Sequence, residues 1–287
     1  MSDVFRARRS LLYMPSSNPK ALEKAKTLPV DGIIFDLEDA VAPDAKADAR
    51  GAAVAAVRSG EYGRRELTVR VNAIGTEWHA ADLVAAAAAG PDAVVVPKVN
   101  TAEQVRGLAS ALEWSGAPEH TSLWAMIETP EAIFNVREIA AASDRLACLV
   151  MGTNDLVKEL YAEHVPGRAP VLTALSLAVL AARSAGIAIL DGVYNDVKDA
   201  EGFAAECRQG REFGFDGKTL IHPGQVEVAN TEFAPSAQAI DDARGILAAW
   251  EQGGTGVVTY NGRMIENLHV DSAKRTLAIA DAIAALG

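Results

Sequence analysis

Between Ser10 and Ile221 the chain carries eight short runs that are apolar at nearly every position: Ser10–Met14, Gly32–Leu37, Leu67–Val71, Ala93–Val99, Ser122–Ile127, Ala147–Met151, Ile187–Leu190 and Lys218–Ile221. Apolar residues at consecutive rather than alternate positions predict parallel strands covered on both faces. The intervening stretches are Ala-rich and predict helices over Pro19–Thr27, Asp44–Ser59, Trp78–Ala89, Thr101–Glu113, Glu131–Ala142, Leu172–Ala185 and Asp199–Phe213. Several open on helix-start signals: Asn18-Pro19, Pro43-Asp44, and Thr101 with Gln104 three residues on, the spacing of a capping box. Others close on glycine, at Gly60, Gly90, Gly186 and Gly214. Eight strand–helix alternations over about 220 residues predict a (β/α)8 TIM barrel. A doubly wound open sheet is the competing architecture, but no GxGxxG follows the first strand and no P-loop occurs.

After Pro223 the pattern changes. Ala237–Trp250 predicts a helix, and a glycine-rich turn follows at Gln252-Gly253-Gly254-Thr255-Gly256. Val257–Ile265 predicts a hairpin about Asn261-Gly262, and a last helix runs from about Val270 to Leu286. The expected division is a catalytic barrel over 1–235 and a C-terminal lid over 236–287. The tail reads as too small for a core of its own, so it is expected to pack on the barrel or on a neighbouring subunit.

Composition narrows the function classes. The 287 residues include 27 basic and 38 acidic side chains, a net charge of −11, which argues against a nucleic-acid partner. No apolar run approaches the roughly 18 residues of a spanning helix. The first residues carry no apolar signal-peptide core, so a cytoplasmic location is the default expectation. Cys148 and Cys207 have no CxxC spacing, which makes a buried Cys148 the expectation over a redox or zinc role.

In a barrel of this kind the active site lies at the C-terminal strand ends. Those ends carry Tyr13 and Pro15; Asp36, Glu38 and Asp39; Arg70 and Asn72; Lys98; Glu128-Thr129; Asn154-Asp155; Asp191 and Tyr194; and His222-Pro223. One charged residue at one strand end is unremarkable, but a convergent set of carboxylates with an Arg and a Lys is not. Glu128 and Asp155 follow neighbouring strands and offer two hard oxygen ligands, as Mg2+ prefers; imidazole and thiolate are absent there, which disfavours zinc. The alternative is that Glu128 pairs with Lys98 or Arg70 while Asp155 caps a helix, and spacing alone does not choose. Arg70 is equally open between an ion pair with Asp36, Glu38 or Asp39 and a fork for a ligand carboxylate or oxyanion. Among the five histidines only His222 falls at a strand end.

The segments Arg9–Pro15, Glu23-Lys24-Ala25, Asp36–Val41, Val69–Asn72, Val96-Pro97-Lys98, Met126–Pro130, Gly152–Leu156, Ile221-His222-Pro223 and Gly262–Ile265 together resemble the citrate lyase β-subunit-like family. That family includes malyl-CoA and citramalyl-CoA lyases and sits in the HpcH/HpaI aldolase superfamily. The resemblance runs through nearly the whole chain in order. It implies that Glu128 and Asp155 bind Mg2+, with Mn2+ as a substitute, chelating a 2-oxo or 2-hydroxy acid. Arg70 would neutralise an enolate oxygen, and Glu38 and Asp39 would orient Arg70 and metal-bound waters. A CoA thioester would lie across the strand-one and strand-eight loops against Tyr13, Pro15, Lys24 and Pro223, with Lys20 a weaker candidate. A homotrimer or homohexamer is implied.

Two departures from the family pattern stand out. Its Pro-Gly after strand one is Pro15-Ser16 here. The tail Asp that lyases of this family offer to a neighbouring subunit as acid/base is Glu266, one methylene longer. The first expectation is therefore a Mg2+-dependent lyase cleaving a 3-hydroxyacyl-CoA such as malyl-CoA to acetyl-CoA and glyoxylate. The alternatives are a (3S)-malyl-CoA thioesterase on the same scaffold, which Glu266 brings forward, and a citrate lyase β-type subunit acting within a complex.

Overall fold

A computed structural model of the protein describes residues 5–253 and 257–286. The chain forms two compact units, Arg8–Glu232 and a smaller one that joins Phe5–Ala7 to the segment from Phe233 onward.

The larger unit is a closed barrel of eight parallel strands in sequence order. They are β1 (Ser10–Pro15), β2 (Gly32–Asp36), β3 (Glu66–Arg70), β4 (Ala93–Val96), β5 (Ser122–Ile127), β6 (Leu146–Met151), β7 (Ala188–Asp191) and β8 (Gly217–Leu220). The helices between them are α1 (Pro19–Ala25), α2 (Lys46–Arg58), α3 (His79–Ala89), α4 (Ala102–Trp114), α5 (Pro130–Phe134), α6 (Val136–Ala140), α7 (Thr153–Glu159), α8 (Leu172–Ala185) and α9 (Ala200–Phe213), with α10 (Val226–Glu232) after β8. All eight apolar runs became strands because each lies between the barrel interior and a helix layer. Leu11, Ile34, Val95, Trp124, Met126, Cys148, Val150 and Leu190 meet in one buried cluster, with Tyr13 packed against it. Cys148 and Cys207 are buried and unbridged.

Two of the three helix-start signals cap their helices as the sequence predicts, while Pro43-Asp44 opens a short 3-10 turn, Pro43–Ala45, that leads into α2. Asn18 accepts the Ala21 N–H, and Thr101 and Gln104 form both halves of a capping box. Gly90, Gly186 and Gly214 close their helices in the left-handed conformation. The stretch predicted as one helix over Glu131–Ala142 is two, broken at Asn135, whose Nδ2 donates to the Asn100 carbonyl. The barrel also contains α7 and α10, which the pattern did not separate from their loops.

The smaller unit contains α11 (Ala237–Gln252), a hairpin of β9 (Val258–Tyr260) and β10 (Arg263–Ile265), and α12 (Asn267–Leu286). The Asn261-Gly262 turn has both residues at positive φ (49° and 74°), as a two-residue hairpin loop needs. Contrary to expectation the tail has a small core, in which Val258, Ile265 and Val270 pack with Ile246, Leu247, Trp250 and Tyr260. Most of the predicted glycine-rich turn, Gly254–Gly256, lies outside the described residues. Among the described residues no helix is long and apolar enough to cross a membrane.

Candidate active site

Strand register creates the first half of the site. Asp36 and Arg70 end β2 and β3 as direct register partners. Arg70 Nε and Nη2 donate to the two Asp36 oxygens at 2.7 and 2.6 Å. Its Nη1 faces Glu38 Oε2 at 2.9 Å and Asp39 Oδ2 at 3.3 Å. The Tyr13 ring, on β1, lies against the guanidinium at 4.6 Å to the centroid. The arginine is thus gripped along its edge and on one face. Burial opposes its charge, but Asp36, Tyr13 and Glu38 hold its pKa well above the usual value. Asp36 also accepts the N–H groups of Glu38 and Ala40, which shapes the loop carrying Glu38 and Asp39. Beneath that loop the Lys46 ammonium donates to the Leu37 and Glu38 carbonyls and to Asn72 Oδ1. Irregular backbone after a strand needs such donors when it is buried.

The second half comes from β4, β5 and β6. Glu128 is buried, and its Oε1 accepts the Lys98 N–H at 2.7 Å. Lys98 directs that N–H from a left-handed backbone, φ 53°. Glu128 Oε2 lies beside Gly152, where an added Cβ would collide with it and with the Glu128 Cβ. Asp155 stands in the first turn of α7, with Lys98 Nζ 3.8 Å from its Oδ1. Burial, reinforced by Asp155, pushes the Glu128 carboxyl up to about 7 against the pull of the Lys98 N–H. Burial likewise pushes Glu38 up to about 8; Arg70 pulls the other way, but burial, helped by repulsion from Asp39 and Glu128, prevails. The same burial raises the Tyr13 phenol.

Arg70 is in ion-pair contact with Asp36, Glu38 and Asp39, and the Lys98 ammonium with Asp155, while Glu128 accepts the Lys98 backbone N–H; five carboxyl groups thus face two cations. That deficit of positive charge, and the all-oxygen donor set, suit a hard divalent cation. Among the described residues no cluster of three or more His, Cys, Asp or Glu ligands forms. Glu128 and Asp155 leave the remaining positions to water and substrate oxygens, a common arrangement for Mg2+.

The other residues singled out from sequence are dispersed. Pro15 ends β1 half-buried, Lys20 and Lys24 are exposed on α1, and Pro223 opens the turn after β8, a strand paired with β1. His222 caps that turn, its Nδ1 accepting the Gly224 N–H. Asp191 is buried against Arg168 and Lys218, which outweigh burial and hold it ionised. Glu266 is exposed in the smaller unit, its N–H donating to His269 Nδ1. Ser16, at the departure from Pro-Gly, is buried with its hydroxyl unpartnered. Gly152 and the backbone of Lys98 escaped the sequence reading; the signal was the position of Lys98 just after β4 and the Met-Gly step after β6. A cavity of about 470 Å³ opens between α7 and α9 beside Arg168, Tyr194 and Glu206, but Arg70, Glu128 and Asp155 do not line it. The strand ends, where charges converge, are the better candidate for chemistry.

Residues 9–223 match the family described as HpcH/HpaI aldolase/citrate lyase. The chain belongs to that family. It is 49% identical over 280 residues to a (3S)-malyl-CoA thioesterase of Cereibacter sphaeroides, covering 96% of each chain. It is 37% identical over 284 residues to a citrate lyase β subunit of Escherichia coli, covering 96% of this chain and 94% of that one. A crystal structure of CitE from Mycobacterium tuberculosis with magnesium, acetoacetate and coenzyme A superposes with a TM-score of 0.77 at 31% identity, over 95% of this chain and 97% of that one. The protein is thus a member of an aldolase and lyase enzyme family that also includes a thioesterase.

Proposed function

We propose that the protein is a divalent-metal-dependent hydrolase of a CoA thioester of a short 3-hydroxy diacid, with (3S)-malyl-CoA as the substrate. The observation that carries this reading is the 49% identity to a malyl-CoA thioesterase along nearly the full length of both chains, against 37% to a citrate lyase β subunit. Glu128 and Asp155 would hold Mg2+, which supplies Lewis-acid polarisation of the oxygens it binds. The clamped Arg70 presents a fixed positive charge beside the reacting acyl unit and stabilises negative charge that develops on oxygen. Glu38, with a carboxyl pushed up to about 8, keeps a proton near neutral pH and can pass one to or from a bound water. Water adds to the thioester carbonyl, the C–S bond breaks, and malate and the CoA thiol leave.

The CoA end is proposed to lie along β1 and β8, against Pro15, Lys24 and Pro223, whose strands are neighbours. Tyr13 is better assigned to Arg70, whose guanidinium it stacks on. Glu266 is proposed to act in the site of a second copy. A lyase is the second reading, favoured by the Arg70 clamp, which would serve an enolate as well as a tetrahedral oxyanion. Purified protein with malyl-CoA and Mg2+, with glyoxylate and free thiol followed separately, decides between them. Thiol and malate without glyoxylate supports the thioesterase; glyoxylate with acetyl-CoA overturns it in favour of the lyase. Neither product would point to a subunit that needs its complex.

A further inference from the structure

Lys98 is an anomaly on three counts. Its backbone is left-handed at φ 53°, a region that favours glycine, yet the residue is a long cation. Its N–H fixes Glu128 Oε1 at 2.7 Å, so the backbone role needs no side chain at all. Its ammonium stands 3.8 Å from Asp155 Oδ1 with the side chain 44% exposed, whereas the Arg70 side chain is 9% exposed and committed to Asp36, Glu38 and Asp39. A glycine would do the backbone work without strain, so the side chain's presence calls for a role of its own.

We propose that Lys98 is a built-in counter-cation that offsets the Glu128/Asp155 pair before a dication binds, and that then binds the carboxylate of the acyl substrate's hydroxy-acid end. The charge pattern supports both halves. The carboxyl groups at the strand ends outnumber their paired cations, so a partly exposed ammonium beside Asp155 lowers the repulsion between it and its neighbours. A dication held by Asp155 would repel the ammonium, whose side chain is partly exposed and so has room to turn away. An ammonium on a flexible stem can move in this way, while the guanidinium held by Asp36 and Tyr13 cannot. Lys98 would then recognise a substrate carboxylate by charge, alongside an Arg70 that Asp36, Glu38 and Asp39 hold in place for the reacting oxygen.

This inference rests on the metal and acyl-CoA reading above, and its test separates the two. Mn2+ binding would be titrated calorimetrically into the full-length protein and the variants Lys98→Gly, Lys98→Met and Lys98→Arg. Malate binding would then be measured at saturating Mn2+. Lys98→Gly suits the positive φ and keeps the N–H on Glu128; Lys98→Met keeps the length without the charge. Both neutral variants should bind Mn2+ about tenfold more tightly and malate about tenfold more weakly, the scale of losing one nearby charge in a partly solvated site. Lys98→Arg should stay near the parent in both. Opposite shifts are diagnostic, because a merely structural role would weaken both ligands together. If the parent binds Mn2+ and malate but either affinity is unmoved in the neutral variants, the Lys98 proposal is overturned alone. If the parent binds no Mn2+, the metal reading fails and Lys98 falls with it.

Discussion

The positions that matter most are set by contacts one or two atoms wide. Glu128 occupies its place because residue 152 has no Cβ and because Lys98 turns its N–H inward. Gly152→Ala should therefore push the carboxylate aside and cut kcat/KM at least about a hundredfold, the scale on which ångström misplacements act. Circular dichroism should show the barrel intact; full turnover in this variant would remove Glu128 from the site. Tyr13 offers a subtler case, since its ring rather than its hydroxyl lies on Arg70. Tyr13→Phe should keep most of kcat, while Tyr13→Leu should lower it about tenfold by freeing the guanidinium, a loss of about 1.4 kcal/mol. Equal rates for the two variants would dismiss the stacking role. The Arg70 ion pairs with Asp36, Glu38 and Asp39 are one of the two readings the sequence left open, and the convergence of strand ends is what brought Glu128 and Asp155 forward together. Gly152 and the Lys98 backbone were not legible in the sequence, because close approach and a positive φ belong to three-dimensional context.

At the level of elements, strands were easier to read than helices. A strand buried on both faces leaves an unbroken apolar word such as Val94-Val95-Val96, and its register follows once the barrel closes. The short helices α7 and α10 span about two turns and carry too little periodicity to declare themselves, and the break between α5 and α6 leaves no mark in the pattern. Asn135 looks like an ordinary polar helix residue until its amide is seen bound to the Asn100 carbonyl between β4 and α4. The same corner contains Thr129, which accepts the Ala132 N–H at the start of α5 and donates to Asn100 Oδ1. Thr129→Val should cost about 1 kcal/mol, the usual value of such a cap, read as a lowered urea midpoint. Because Thr129 follows Glu128 directly, on the proposed metal reading the variant should also weaken Mg2+ binding. A stability loss with unchanged metal affinity would show that the cap and the site are mechanically separate.

For the molecule as a whole, proton and charge balance make the broadest predictions. Glu38 and Glu128 keep their protons in the fold up to about pH 8 and 7, whereas in the unfolded chain they ionise near ~4.3. The folded state thus binds more protons between about pH 4.5 and 8, and stability must fall as pH rises through that window. Metal-free protein should melt several degrees lower at pH 8 than at pH 5, and Glu38→Gln should flatten the slope; a rising profile would contradict the assigned burial. The Glu266 proposal belongs to this scale too. Mixing inactive Glu266→Ala and Arg70→Ala proteins should restore part of the activity if two copies share a site, and no recovery would confine catalysis to one chain. The excess of carboxylates at the barrel mouth has one more consequence, for the order of events. An acyl-CoA, with its several phosphate charges and a free carboxylate, meets a carboxyl-rich rim and an arginine already paired with Asp36, so on the proposed metal reading it should not load first. Initial-rate patterns should show compulsory addition, dication before thioester, and chelator-treated protein should leave the thioester in solution rather than hold it in a dead-end complex.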